Sequence, residues 1–186
     1  MLDHFGMLAP FYEKLIKPRF PEGLIKQLDI QPGDKLLDVG GGTGRITQYF
    51  SDITETIMIL DESCDMLKEA NKKPRLQPLC ASSEEIPIKD NSIERLIMID
   101  AMHHVKNQDA TAKEMWRILK PKGRLIIEEP DIRLRGIKLL AIGEKLLMMR
   151  SRFLSSEKIE MLFNYPNASI REMQDGYNVW IIVEKS

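Results

Sequence analysis

The sequence of 186 residues predicts an α/β protein in which strands and helices alternate within a single domain, residues 1–186. An apolar run over 36–39 leads into a glycine cluster, and a helical pattern opens directly after it, as expected for a strand, a tight turn and a helix. Further apolar runs alternate with helical patterns as far as residue 127. The chain ends in two apolar runs that flank Asp175 and Gly176, a pair typical of hairpin turns.

The composition is that of an ordinary globular protein, with 43% hydrophobic and 30% charged residues. The net charge of −1 gives no electrostatic reason to expect nucleic acid as a partner. The sequence shows neither a signal-peptide pattern nor an apolar run of the ~18 residues that a membrane span needs. Cys64 and Cys80 are expected to be reduced and buried, and together these features predict a cytoplasmic protein.

The first part of the chain, residues 1–30, predicts an N-terminal arm of two short helices, separated where Pro18 and Pro21 interrupt the helical spacing. The first strand is expected over 35–39. The helix after the glycine cluster is expected over 43–50.

The glycine cluster places four glycines within five residues: Gly40, Gly41, Gly42 and Gly44. Glycine permits backbone angles that a Cβ would obstruct and lets a ligand approach the backbone closely. The dinucleotide fingerprint G-x-G-x-x-G fits only in part, because its third glycine falls on Arg45. The stretch from Asp38 to Gly44 resembles motif I of the class I S-adenosylmethionine-dependent methyltransferases. This resemblance implies that the loop holds the methionine end of S-adenosyl-L-methionine, with Asp38 beside it; a nicotinamide cofactor remains the competing interpretation.

The second predicted strand, 56–60, ends at Asp61, which lies 21 residues beyond Gly40. An acid at this place accepts hydrogen bonds from ribose hydroxyls, although Asp is also a favoured helix N-cap. Because both cofactors carry a ribose, Asp61 does not distinguish them. The run from Asp61 to Leu67 resembles the methyltransferase form, and the resemblance makes Glu62 and Met66 cofactor-binding candidates, with Met66 near the adenine; a plain core methionine is the alternative.

The third strand is expected over 75–80, and Pro78 indicates an edge or bulged position. The family often has an acidic residue at the position of Ser82, where it bonds the adenine amino group. The resemblance therefore implies two adenine contacts, a weaker one from the Ser82 hydroxyl and one from the backbone amide of Ser83.

The fourth strand, 93–99, is followed by Asp100 at the edge where open α/β sheets bind ligands, so Asp100 is expected to touch the cofactor. His103 and His104 come next, and one of them could act as a base because its pKa lies near neutrality. The alternative is that both are structural. Adjacent residues on a helix point about 100° apart, so no metal site is predicted.

A helix over 109–119 runs into a Leu-Lys-Pro-Lys-Gly stretch, which resembles a stretch of the family with Lys122 in place of its first glycine. Gly123 is expected to take a positive φ there. The fifth strand, 125–127, ends beside Glu128, the third candidate base.

The segment 132–165 is implied by the resemblance to be a helical lid or substrate region. Six basic residues and one acid lie within 132–153, interleaved with leucine and methionine. Such a lining suits a lipophilic substrate, and the basic segment 133–152 could contact an anionic membrane surface. An amphipathic helix with a solvated basic face is the alternative.

The terminal hairpin, 168–173 and 177–183, decides between the two cofactors, since a dinucleotide-binding sheet is all parallel. With its motifs in family order over residues 30–186, the sequence is identified as a member of the class I methyltransferases, similar to their type 11 and quinone-methylating groups. The resemblance implies a doubly wound, Rossmann-like sheet of seven strands with strand 7 antiparallel. It also implies methyl transfer to a small-molecule acceptor, with a lipophilic or quinone-like ring as the expected class. A non-catalytic S-adenosylmethionine-binding sensor or partner protein is the alternative.

Overall fold

The computed structural model describes residues 20–134 and 152–186. Within them the chain forms four α-helices: α1 (Glu22–Leu28), α2 (Cys64–Ala70), α3 (Gln108–Ile118) and α4 (Ser156–Leu162). The seven strands are β1 (Lys35–Val39), β2 (Thr56–Asp61), β3 (Leu76–Cys80), β4 (Ile93–Ile99), β5 (Leu119–Pro130), β6 (Ala168–Asp175) and β7 (Asn178–Lys185).

All seven strands belong to one sheet in the order β3-β2-β1-β4-β5-β7-β6. The pairs from β3 through β5 are parallel, whereas β7 runs antiparallel to both β5 and β6. The predicted doubly wound sheet with an antiparallel strand 7 is therefore confirmed. The strand order reverses between β1 and β4, the place where open α/β sheets form a ligand crevice.

The sheet separates two hydrophobic cores because successive side chains of a strand face opposite sides. On one face, Leu37 and Val39 pack with α3 and α4. On the other face, Leu36 packs with α1, α2 and Phe50. The central strands are buried on both faces, which explains their continuous apolar sequence.

Capping side chains help to begin two of the helices. Ser63 accepts the backbone N–H of Met66 at the start of α2, at 3.4 Å. Asn107 accepts that of Ala110 at the start of α3, at 3.1 Å. These contacts fix the connections that leave β2 and β4 on the crevice side.

The predicted bounds of β1 and β4 match the structure, and Pro78 lies in the edge strand β3 as expected. Two elements differ. The glycine cluster leads into a short 3₁₀ helix at Thr47–Phe50 instead of an α-helix from residue 43. Strand β5 begins at Leu119, well before the predicted 125, and the left-handed residue is Lys122, with φ 65°, not Gly123.

The expectation that the two cysteines are reduced and buried is wrong. The structure joins Cys64 to Cys80 in a disulfide and exposes both residues. The cause is the parallel pairing of β2 with β3, which places Asp61 opposite Cys80 and so brings the start of α2 beside the end of β3. The cysteines therefore lend no support to a reducing compartment.

Parts of the two flanking predictions lie outside the described residues: 1–19 of the N-terminal arm, and 135–151 of the segment 132–165. The second helix of the arm corresponds to α1. The division of 1–186 into an arm, a domain and a lid stays a prediction. In the described part of the chain, no helix is long and apolar enough to cross a membrane.

Candidate functional site

A cavity of about 540 Å³ opens at the carboxyl ends of β1, β2 and β4. Four segments contribute to its wall: the glycine loop after β1, the turn between β2 and α2, the segment after β3 and the segment after β4. Most of the predicted site residues lie in this wall: Asp38, Gly40, Gly41, Gly42, Asp61, Glu62, Met66, Ser83, Asp100 and His104.

Asp61 joins the first two segments of the wall. One of its carboxylate oxygens accepts the backbone N–H of Gly42 at 2.9 Å, and the other accepts that of Ser63 at 2.8 Å. Gly42 takes φ 55°, a conformation that L side chains rarely adopt, so glycine is required where the loop meets the acid. These two hydrogen bonds fix the position of the carboxylate at the cavity.

Gly44, which the sequence predicts to bind the cofactor, is not part of the wall. It has φ 72°, and a Cβ at this position would lie 2.7 Å from a methyl carbon of Leu76 and 2.8 Å from one of Ile59. Gly44 therefore allows the loop to pack against the sheet.

Asp38, at the end of β1, is only 3% exposed. Its Oδ2 accepts the hydroxyl of Thr47, whereas its Oδ1 has no hydrogen-bond partner among the described residues. Burial raises the pKa of Asp38 to about 7, against a partial lowering by the Thr47 hydrogen bond. A cation brought beside Oδ1 would satisfy this atom and favour the ionised carboxylate.

Glu62, which also lines the cavity, is held by two side chains. The hydroxyl of Ser82 donates to its carboxylate at 2.8 Å, and the ammonium of Lys106 lies 3.1 Å from the same group. Ser82 itself is not in the wall, so it supports the site through Glu62. Ser83 is in the wall, and its hydroxyl pairs with that of Thr111 at 3.0 Å.

Asp100 and Arg45 form an ion pair across the strand-order reversal, with 3.2 Å between guanidinium and carboxylate. Both residues line the cavity. Sequence reasoning used Arg45 only as the residue that breaks the dinucleotide fingerprint. Its partner is 55 residues away, so no local pattern signalled the pair.

The two adjacent histidines have different environments. His104 lines the cavity, and burial lowers its pKa to about 4, so its ring is uncharged at neutral pH. His103 is not in the wall: it is 4% exposed and its ring stacks on Phe153 with 4.2 Å between centroids. Of the two histidines predicted as candidate bases, only His104 lines the cavity.

Glu129 is a site residue that sequence reasoning did not single out. It is 2% exposed, its Oε2 lies 2.5 Å from Nδ1 of His103, and its Oε1 accepts the backbone N–H of Met102 at 2.8 Å. Burial raises its pKa, while His103 opposes that shift. Glu129 therefore anchors the short 3₁₀ helix Met102–His104 whose last residue reaches the cavity.

Glu128, the third predicted base, points to the other side of β5 because side chains alternate along a strand. It accepts a hydrogen bond from the Asn178 amide at 2.6 Å and does not line the cavity. Burial and the nearby Asp100 carboxylate raise its pKa to about 7.

This chain is similar to known methyltransferases. Residues 37–127, from β1 to β5, match the family model of a methyltransferase domain. The methyltransferase GfsG of Streptomyces halstedii is 33% identical over 126 residues, which cover 63% of this chain and 45% of that protein. The ubiquinone/menaquinone biosynthesis C-methyltransferase UbiE of Psychromonas ingrahamii is 34% identical over 110 residues, 54% of this chain and 44% of that protein. The chain thus spans a little under half the length of these relatives.

Solved structures support the fold. The methyltransferase in a complex with the Haloferax volcanii Trm112 methyltransferase activator superposes with a TM-score of 0.85 and 15% identity, over 100% of this chain and 99% of that one. An S-adenosylmethionine-dependent methyltransferase from Thermotoga maritima gives 0.78 and 21%, over 98% of each chain.

Proposed function

Since this chain contains a class I methyltransferase domain, we propose that it transfers a methyl group from S-adenosylmethionine to a small-molecule acceptor. The observation that carries this proposal is the tie between Asp61 and the backbone of Gly42 at the cavity. Because of this hydrogen bond, an acid that can bind a ribose lies in the same wall as a glycine loop that can bind the rest of the cofactor.

The residues of the wall fit S-adenosylmethionine. Asp61 would accept hydrogen bonds from the ribose hydroxyls. Asp38 would meet the ammonium of the methionine end, because its Oδ1 is buried without a partner among the described residues. Met66 and the backbone of Ser83 would border the adenine, since both residues line the cavity.

The bound cofactor supplies an activated methyl group on a sulfonium, so the protein mainly positions the acceptor and excludes water. His104 is the wall residue that we assign to the acceptor. Its uncharged ring can accept a hydrogen bond from an acceptor hydroxyl, and the anchored 3₁₀ helix fixes its position.

The acceptor that we propose is a lipophilic ring, such as a hydroquinone. Two observations support this class. The wall around His104 contains Met98, Ile99, Ala101 and Val105, all apolar. The relative named UbiE is a C-methyltransferase of ubiquinone and menaquinone biosynthesis. A second role for the basic segment 133–152, contact with a membrane surface, stays a prediction because most of that segment lies outside the described residues.

Calorimetric titration with S-adenosylhomocysteine tests the cofactor, with NAD as the competing ligand. We expect binding of S-adenosylhomocysteine alone, weakened at least about tenfold by Asp61→Asn, which removes a charged hydrogen-bond acceptor. Asp65→Asn is the matched control, because Asp65 is an exposed acid outside the wall, paired only with Lys68 among the described residues. Binding of NAD, or no binding by folded protein, would contradict the proposal.

Formation of S-adenosylhomocysteine from S-adenosylmethionine tests the transfer, with a short-chain hydroquinone as acceptor and chromatographic detection. We expect acceptor-dependent product that His104→Ala lowers without changing cofactor affinity. Cofactor binding with no turnover on a panel of hydroquinones, phenols and amines would favour a non-catalytic binding protein.

A further inference from the structure

The Cys64–Cys80 disulfide lies against the cofactor wall. Cys64 follows Ser63 and precedes Met66, both of which line the cavity. Cys80 is the neighbour of Asp61 across the β2–β3 pair, with 5.6 Å between the Cα atoms of the two cysteines. The bond therefore ties the turn that carries Asp61 and Glu62 to the strand that leads to Ser82 and Ser83.

Hydrogen bonds also join these two segments. The backbone N–H of Ala81 donates to the carbonyl of Asp61 at 3.2 Å, and the hydroxyl of Ser82 donates to Glu62 at 2.8 Å. The Glu62 contacts lie at the surface, where single hydrogen bonds and ion pairs contribute little stability. The disulfide thus adds a covalent tie to a turn that is also held by the hydrogen bonds of the Asp61 carboxylate with the backbone of Gly42 and Ser63.

Both cysteines are exposed, so an external thiolate can reach the bond. A dithiol would attack one sulfur to give a mixed disulfide, and its second thiol would then displace the protein sulfur. Cys64 and Cys80 each end as a thiol after this two-electron reduction, while the dithiol becomes a disulfide. Oxidised glutathione re-forms the bond by the reverse exchange, and diamide re-forms it by taking up two electrons and two protons from the two thiols.

We propose that the Cys64–Cys80 pair is a reversible redox site that sets the affinity of the cavity for its adenosyl cofactor. The bonded form binds more tightly because the turn that carries Asp61 and Glu62 is already ordered. The reduced form must order this turn when the ligand binds, which costs affinity. This inference rests on the proposed function, since it assumes that the cavity takes an adenosyl ligand.

Titration of S-adenosylhomocysteine into oxidised and dithiothreitol-reduced protein tests the proposal, with thiols counted in each sample by a colorimetric reagent. We expect no free thiols and tight binding in the oxidised protein. In the reduced protein we expect two thiols and a Kd about threefold to tenfold higher. The double variant C64S/C80S should bind like the reduced protein and should not respond to dithiothreitol. Thermal melting of each sample shows that it is folded at the titration temperature.

Equal Kd values for the oxidised and reduced proteins, with the thiol count confirming reduction, would overturn the switch alone. An equal response of C64S/C80S to dithiothreitol would overturn it as well, because the effect would then arise elsewhere. A purified protein whose two thiols diamide cannot close would also overturn it. Failure of both forms to bind S-adenosylhomocysteine would instead overturn the proposed function, and the switch with it.

Discussion

The ionisation of Asp38 predicts how cofactor affinity depends on pH. Burial raises its pKa to about 7 in the free protein, so at lower pH the group is mostly neutral. Pairing with the ammonium of the cofactor requires the carboxylate, so the proton must leave before the ligand binds. Affinity for S-adenosylhomocysteine should therefore fall as pH decreases through about 7 and level off about one unit above it. One unit below, the loss is about tenfold, or about 1.4 kcal/mol.

Calorimetric titration across this pH range, in buffers of different ionisation enthalpy, measures both the Kd and the proton released on binding. The variant Asp38→Asn should bind weakly with a flat profile. The matched control is Glu128→Gln, because Glu128 also titrates near 7 but lies outside the cavity wall. It should keep the slope of the unmodified protein. A flat profile in the unmodified protein, or a slope retained by Asp38→Asn, would refute the assigned role of Asp38.

The same group makes a prediction about stability. The pKa of Asp38 in the folded protein, about 7, is above its ordinary value of 3.8. Its contribution to stability is therefore complete below 3.8 and is lost as pH rises to about 7, with a total cost on the order of 4 kcal/mol. Urea unfolding should show Asp38→Asn gaining stability over the unmodified protein as pH rises across this window. A constant difference would contradict the raised pKa.

Three further predictions concern the backbone and the buried pair. Glu129→Ala should lower the free energy of unfolding by about 2–4 kcal/mol in urea, because it takes the carboxylate away from His103 and from a buried backbone amide; Glu129→Gln should lose less, since its amide oxygen can still accept that amide. Gly44→Ala should lower the free energy of unfolding by about 2–4 kcal/mol, because the strain of a positive φ and the close contacts of the new Cβ add. Gly42→Ala should lower it by only about 1–2 kcal/mol but should weaken the binding of S-adenosylhomocysteine more than Gly44→Ala does. Equal losses of stability in the two variants would contradict this difference. Lys122→Gly should raise stability by up to about 1 kcal/mol, seen as a higher Tm, because Lys122 holds a left-handed conformation; an unchanged or lower Tm would contradict it.

Local pattern was sufficient to place β1 and β2 and the acids that end them. The run to Asp38 and the run to Asp61 are short, apolar and bounded by turn residues, so their ends are defined within a few residues of sequence. In a parallel sheet all such ends lie at one edge, and this geometry brings the two acids to one cavity.

The features that sequence analysis missed depend on residues distant along the chain. Glu129 meets His103 across 26 residues, and Lys106 meets Glu62 across 44. A strand places Glu128 and Glu129 on opposite faces, but the sequence does not say which face meets the histidines. The disulfide was missed for a related reason. The strand pairing that brings the two cysteines together is a tertiary contact, which the local sequence around either cysteine does not indicate.

The position of β3 at one end of the sheet has a consequence for how copies of the protein meet in concentrated solution. An open edge offers unpaired backbone groups on which another molecule can template an additional strand. Pro78 has no backbone N–H to donate to an added strand, and it lies in the middle of β3. At the opposite end, β6 exposes the charged residues Arg171 and Glu172, whose burial in a dry strand–strand contact would be costly. Within the described part of the chain, both ends of the sheet thus discourage the growth of fibrils.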